Sequence, residues 1–397
     1  MKHWPKMPLP KESINLPKKL KIGFVLDDSL DRPAGVQQYI LTLGSWLISK
    51  GHEVHYLVSA TKRTDISHIY SLSRNIPARF NGNQMKIPLP ASISNIKKHL
   101  NRENYDILHV QVPYSPFLAG IIINAAQPQT AVIGTFHIVP NNQIVNIANH
   151  LLRILCIRSL RRFDAVVSVS PAAQSFAQSA YHLSSSVIPN AIYLEKFKSA
   201  MPFTKDPTRQ FNLLFLGKLV QRKGCLEFLK AVSLLKDYQN LSFQVTICGN
   251  GPLDKQLKHY VKLNNLTKIV SFAGFVSEAD KLRYFAAADL TVFPSLGGES
   301  FGIVLLEAMA SGRSVVLASD NIGYHTVLKD CPGNVLFDPT NTLAFAEKIK
   351  TLLLDPILRE HISRWQSDRA SDFDISQVGP KIMSIYSLAL QRRRNMQ

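Results

Sequence analysis

Seven residues separate Glu299 from Glu307 in the segment GGESFGIVLLEAMASG, residues 297–312. The segment follows a short strand-like run, Leu290–Phe293, and opens on two glycines, so backbone can approach a ligand closely. Ile303, Leu306, Met309 and Ala310 recur at helical spacing; Ser300 is expected to cap that helix and Gly312 to end it. Free amides at such a helix start, aided by the helix dipole, make an anion site. A carboxylate beside a phosphate cannot hold the phosphate, but it can accept hydrogen bonds from sugar hydroxyls. The combination therefore points to a phosphorylated sugar, rather than to a glutamate that caps a loop and another on a solvated helix face.

A second segment, LGKLVQRKG at 216–224, places Lys218, Arg222 and Lys223 in a glycine-bracketed loop after the run FNLLFL. Cations there can neutralise a diphosphate and stabilise it as a leaving group. Alone, such a loop is ordinary surface charge; its meaning comes from the glutamate segment. GTFH at 134–137 puts His137 at a strand end, where an imidazole can hydrogen-bond a substrate. His109 is a weaker candidate of the same kind. In SLDRPAGVQQ, residues 29–38, Gly35 opens a helix whose amides could meet an anion.

These loops need strands and helices to carry them. Strand-like runs occur at Lys21–Leu26, Glu53–Val58, Ile107–Val110, Ala131–Phe136 and Ala165–Ser170. A second series occupies Phe211–Leu216, Phe243–Cys248, Ile269–Phe272, Leu290–Phe293 and Val315–Ala318. Helical spacing fills the intervals, as at Gly35–Lys50, Cys225–Lys236 and Ala279–Ala288, with Gly51 closing the first helix. Alternating strands and helices predict an α/β chain of two doubly wound parallel-sheet domains, with ligands at the carboxyl ends of the strands. The expected division is a flexible basic arm over 1–20, a domain over 21–198, a linker over 199–210, a domain over 211–378 and a C-terminal helix and tail over 379–397.

Composition narrows the classes. A chain of 397 residues, 46% hydrophobic and 19% charged, is globular, with room for two domains. The longest apolar run, around Phe117–Ala126, is far shorter than the ~18 residues that span a bilayer. Cys156, Cys225, Cys248 and Cys331 form no metal or disulfide pattern, which fits a reducing cytosol. The 46 Lys and Arg exceed the 28 Asp and Glu, giving +18: 22 against 10 in residues 1–200, and 24 against 18 in residues 201–397. Such a field attracts anionic partners. No helix-turn-helix, zinc finger or aromatic RNA-binding stripe accompanies the charge, so a nucleic-acid-binding protein is the remote alternative. Ile93, Ile96 and Leu100 share a helix face beside Lys97, Lys98 and Arg102, as an interfacial helix would. The basic stretch Leu151–Arg162 is expected instead to pack into the core.

Taken together, the segments at 34–57, 134–137, 187–197, 216–224, 249–252 and 297–312 resemble the glycosyltransferases of family 4. The resemblance covers residues 21 to 390. SLDRPAGVQ at 29–37 is most similar to the first loop of bacterial phosphatidylinositol mannosyltransferases. The resemblance implies a GT-B fold, two facing Rossmann-like domains with a cleft between them, and a retaining transferase without metal or cofactor. It implies a nucleotide-diphosphate sugar, GDP-mannose favoured, as donor and a phospholipid headgroup as acceptor, or alternatively a UDP-sugar and a glycan. It also implies attachment to the inner face of the plasma membrane from the cytoplasm.

By resemblance, Glu299 contacts the sugar, and amides around Phe301, Gly302, Ile303 and Val304 hold the diphosphate. Glu307 binds the ribose, and Lys218, Arg222 and Lys223 face the leaving diphosphate, which Gly35 lets the first helix approach. His137 lies near the transferred sugar, while Gln37 and Asn142 meet the acceptor. The chain departs from the family at Lys218, usually Arg, at Ala34, usually Gly, and at Ala191, usually Gly. It also has Asn141-Asn142 where the mannosyltransferases carry a lysine.

Overall fold

The computed structural model describes residues 19–31, 34–80, 83–88, 91–137, 152–203, 211–238 and 241–396, with side chains of 76–88 left aside. The chain forms two units, Met1–Ala191 with Ile375–Gln397, and Ile192–Asp374. Most of the expected arm, part of the expected linker (204–210) and Asn142 lie outside the described residues.

Unit one is built on β1 (Lys21–Leu26), β2 (Glu53–Val58), β3 (Ile69–Ser71), β6 (Ile107–Gln111), β7 (Ala131–Phe136), β8 (Ala165–Ser168) and β9 (Ser186–Val187). They form a parallel sheet in the order β3-β2-β1-β6-β7-β8-β9. β4 (Asn75–Phe80) and β5 (Asn83–Pro88) pair as a separate antiparallel hairpin. The middle strands are buried apolar runs because helices cover both faces of a parallel sheet. Phe24, Ile107, Val110, Ile133 and Phe136 are fully or almost fully buried, each contributing ~1.5–3 kcal/mol by leaving water. The helix Gly35–Ser49 follows β1, and Gly51 ends it with φ +88°, a left-handed turn that glycine adopts without strain.

Unit two carries β10 (Phe211–Leu216), β11 (Phe243–Cys248), β12 (Val270–Gly274), β13 (Leu290–Phe293), β14 (Val315–Ser319) and β15 (Leu336–Phe337). All pair in parallel in the order β12-β11-β10-β13-β14-β15. In both units the loops of interest leave the carboxyl ends of strands.

Several expectations need correction. β12 runs to Gly274 rather than stopping at Phe272, because a register shift at Ile247/Cys248 lets Cys248 pair with Gly274. The last helix begins at Ile375, not Gly379, and belongs to unit one instead of forming a separate tail. Pro380 argued for a start nearby, but packing decides: Ile375, Val378, Ile382 and Tyr386 are buried. Gly379 sits so close to Trp46 that a Cβ would lie 2.7 Å from its ring. The helix Ile93–Glu103 buries Ile96, His99 and Leu100 and exposes Lys97, Lys98 and Arg102, so most of its apolar face belongs to the core. The stretch 152–162 shows the reverse. Ile154, Leu155 and Ile157 are 62%, 63% and 47% exposed, beside exposed Arg158 and Arg161. The chain turns at Cys156, whose thiol is buried against the carbonyl of Tyr114, and that turn leaves the apolar neighbours outside.

Candidate active site

The loops after β10 and β13 meet within unit two. Arg222 and Lys223 lie in a short 3₁₀ turn, Gln221–Lys223, closed by Gly224 at φ +69°. A Cβ on Gly224 would stand 1.8 Å from the carbonyl oxygen of Pro294, so glycine is what allows the two loops to touch. The amide of Leu296 donates to the carbonyl of Arg222 at 2.8 Å and fixes their register.

Glu299 sits where they join. Its Oε1 accepts from Lys223 Nζ at 2.8 Å, Arg222 Nη1 at 2.5 Å and Ser295 Oγ at 2.7 Å. Burial opposes its charge, but Lys223 and Arg222 outweigh burial and hold the carboxyl below its ordinary value. Buried Tyr324 backs the loop, with its hydroxyl 3.4 Å from Ser295 Oγ. Gly323 lets the next helix, Ile322–Leu328, approach: a Cβ there would lie 2.2 Å from the Glu299 carbonyl.

The glutamate-bearing helix spans Ile303–Ala310. Its cap is Gly302 at φ +88°, not Ser300, because Phe301 is drawn into the core edge-on to Phe373 and the chain must then turn left-handed. The Phe301 side chain is thus an anchor, and the amides that follow, at Ile303 and Val304, head the helix. Glu307 lies on its buried face, 6% exposed. Its Oε1 accepts from Lys281 Nζ at 2.8 Å, and the same ammonium lies 2.8 Å from Glu278. Lys218 stands in the same post-β10 loop and is exposed.

In unit one, His137 follows β7 and is 6% exposed. Its Nε2 shares a 2.7 Å hydrogen bond with Gln111 Oε1, so Nε2 is the protonated nitrogen there, and its ring meets Tyr39 edge-on at 4.9 Å. Burial pushes its pKa down to about 3. It is a neutral hydrogen-bonding group, not an acid. His109 is tied into the core by Tyr386 at 2.8 Å and Thr135 at 2.7 Å, so the weaker candidate is structural. Gly35 heads the first helix, exposed, while buried Gln37 donates to the carbonyl of Ser29 at 3.0 Å and shapes the first loop.

Sequence reasoning missed Ser295, Tyr324, Lys281 and Gln111. Ser295 adjoins the glycine loop and was within reach; the other three come from elements with no pattern of their own. It also missed Asp27 at the end of β1. That half-buried carboxyl accepts from the amide of Ala119 at 2.6 Å and from the hydroxyl of Ser115, and desolvation raises its pKa to about 6.

The arrangement suits a negatively charged ligand with hydroxyls at one end. The family model for glycosyltransferase family 4 matches residues 33–196, and that for glycosyl transferases group 1 matches residues 197–366. A phosphatidyl-myo-inositol mannosyltransferase of Mycobacterium tuberculosis is 30% identical over 376 residues, covering 92% of this chain and 96% of the relative. The chain belongs to glycosyltransferase family 4. A glycosyltransferase from Rickettsia africae superposes with a TM-score of 0.72 at 19% identity, covering 94% of this chain and all of the other. Anabaena HepE in complex with UDP-glucose gives 0.68 at 18% identity, over 93% of this chain and 99% of that one. The fold is GT-B, and the protein is a glycosyltransferase similar to the mannosyltransferases.

Proposed function

We propose that the protein transfers a hexose, mannose favoured, from GDP-mannose to the headgroup of a phosphatidylinositol-like lipid, with retention of configuration. The observation that carries the donor site is the single Glu299 oxygen held between Lys223 and Arg222. The diphosphate binds along those cations, with Lys218 nearby and the amides of Ile303 and Val304 beyond. Glu299 accepts hydrogen bonds from the sugar, and Glu307 from the ribose. As the bond from C1 to the phosphate oxygen breaks, the acceptor oxygen bonds C1 on the same face. Its proton passes to the departing phosphate, whose charge the lysines and arginine stabilise. His137, a neutral imidazole held by Gln111, lies near the transferred sugar. The family resemblance assigns Gln37 and Asn142 to the acceptor and Gly35 to the donor phosphates. No metal or cofactor takes part in this scheme.

The lipid acceptor is supported by the mannosyltransferase likeness and by the exposed apolar and basic residues at 152–161, which suit an anionic bilayer surface. No described helix is long and apolar enough to cross a membrane. A cytoplasmic enzyme held at the inner membrane face by this surface, with no nucleic acid partner, is the reading we adopt. The second reading, a UDP-sugar donor with a glycan acceptor, is favoured by Asn141-Asn142 in place of the mannosyltransferases' lysine.

Thermal shifts with GDP-mannose, GDP, UDP-glucose and UDP-GlcNAc separate the two. A ligand at ~100 times its dissociation constant stabilises by about 2.7 kcal/mol. Stabilisation by GDP-mannose and mannosyl transfer to phosphatidylinositol vesicles are expected. Stabilisation by UDP-sugars alone, with no lipid product, would establish the second reading instead.

A further inference from the structure

Lys281 is 7% exposed, deep in the contact between the helices Glu278–Ala287 and Ile303–Ala310. A buried ammonium is costly unless it is paired, and here it is paired twice, with Glu307 and Glu278, each at 2.8 Å. Only Oε1 of Glu307 is engaged; among the described residues Oε2 accepts no hydrogen bond.

We propose that Lys281 is a positioning residue for the donor, holding Glu307 Oε1 so that Oε2 is presented to the ribose hydroxyls. The inference rests on the reading of Glu307 as the ribose carboxylate. The charges facing Glu307 are Lys281 and Glu278 from one helix and Lys196 from the helix Leu194–Lys198. Burial pushes the Glu307 carboxyl upward, and Lys281 is the main force pulling it back. Lys281 itself faces two carboxylates, and these hold it above its ordinary value despite burial. Without Lys281, Glu307 would lose the contact that orients it and the main attraction that opposes the upward push of burial.

The test is nucleotide binding by calorimetry to the full chain, using whichever of GDP and UDP binds more tightly and its 2′,3′-dideoxy analogue. Wild type should prefer the ribose form by about tenfold or more. Lys281→Met should bring the ratio near one, and Lys281→Arg should restore most of it. If Lys281→Met does not fold, Lys281→Gln serves: its preference should likewise fall towards one. A wild type that ignores the ribose hydroxyls, or binds neither nucleotide, overturns the ribose reading itself. A wild type that discriminates beside lysine variants that discriminate equally overturns the role of Lys281 alone.

Discussion

Lys223 Nζ lies 2.8 Å from Oε1 of Glu299, a contact between residues 76 positions apart, and Arg222 reaches the same oxygen at 2.5 Å. Two cations on one carboxylate oxygen are aimed at a single point. The glutamate keeps them extended and convergent, so the side-chain entropy of ordering them is largely lost before the donor arrives. The same glutamate is assigned to the sugar, which makes its charge and its shape separable by mutation.

Glu299→Gln tests that separation. The amide keeps the size of the side chain and leaves Arg222 and Lys223 without a counter-charge. Binding of the nucleoside diphosphate alone should hold or tighten a few-fold, while sugar transfer falls by roughly 10²–10³. Calorimetry alongside turnover measures both. A tenfold weaker diphosphate would mean that the carboxylate chiefly positions the cations.

Gly224→Ala should break the join between the loops. The new methyl meets the Pro294 carbonyl at 1.8 Å, and φ +69° costs a non-glycine residue ~1–2 kcal/mol before any clash. For a unit of this size a melting temperature at least about 4 °C lower is expected, with donor affinity reduced. An unchanged melting curve would show that the loops separate readily.

Acid should weaken unit one through its buried histidines. His109 and His137 are held near pKa 3 by burial, with an unfolded value of ~6.5. Both depressed values favour the neutral folded form. Their contribution is therefore intact above about pH 6.5 and falls by roughly 1.4 kcal/mol per pH unit per histidine below it, until the folded pKa is reached. Denaturant midpoints from pH 7.5 to 5 should show the fall, and His137→Gln should lessen its slope. An identical slope in the variant would contradict the assignment.

The exposed Ile154, Leu155 and Ile157 with Arg153, Arg158 and Arg161 should bind anionic vesicles. Each arginine replaced by Gln should cost about 1 kcal/mol, or about fivefold in affinity, and salt should weaken the rest. Replacing Ile154 and Leu155 with Ser should weaken binding further. Vesicle sedimentation that does not respond to these changes would move the contact elsewhere.

Much of the architecture was legible because parallel strands buried on both faces read as unbroken apolar runs. FNLLFL and AVIGTF occupy their expected bounds. The short edge strands β3, β9 and β15 were not, since two or three residues carry no period. Residue type and glycine spacing singled out the glutamate segment and the cation loop, but not the contact between them, which depends on Gly224 and Leu296. The cap at Gly302 was hidden because Ser300 offered the better capping side chain, and burial of Phe301 overruled it. Lys281 lay on an ordinary amphipathic helix, and only packing made it a buried partner of Glu307.

The most direct measurement is mannose transfer from GDP-mannose to phosphatidylinositol vesicles by wild type and Lys223→Ala, with melting curves for both. The account predicts a lipid product of retained configuration from wild type, and at least about a 100-fold slower rate from a variant that still melts cooperatively near the wild-type temperature. Near wild-type turnover in the folded variant would contradict it.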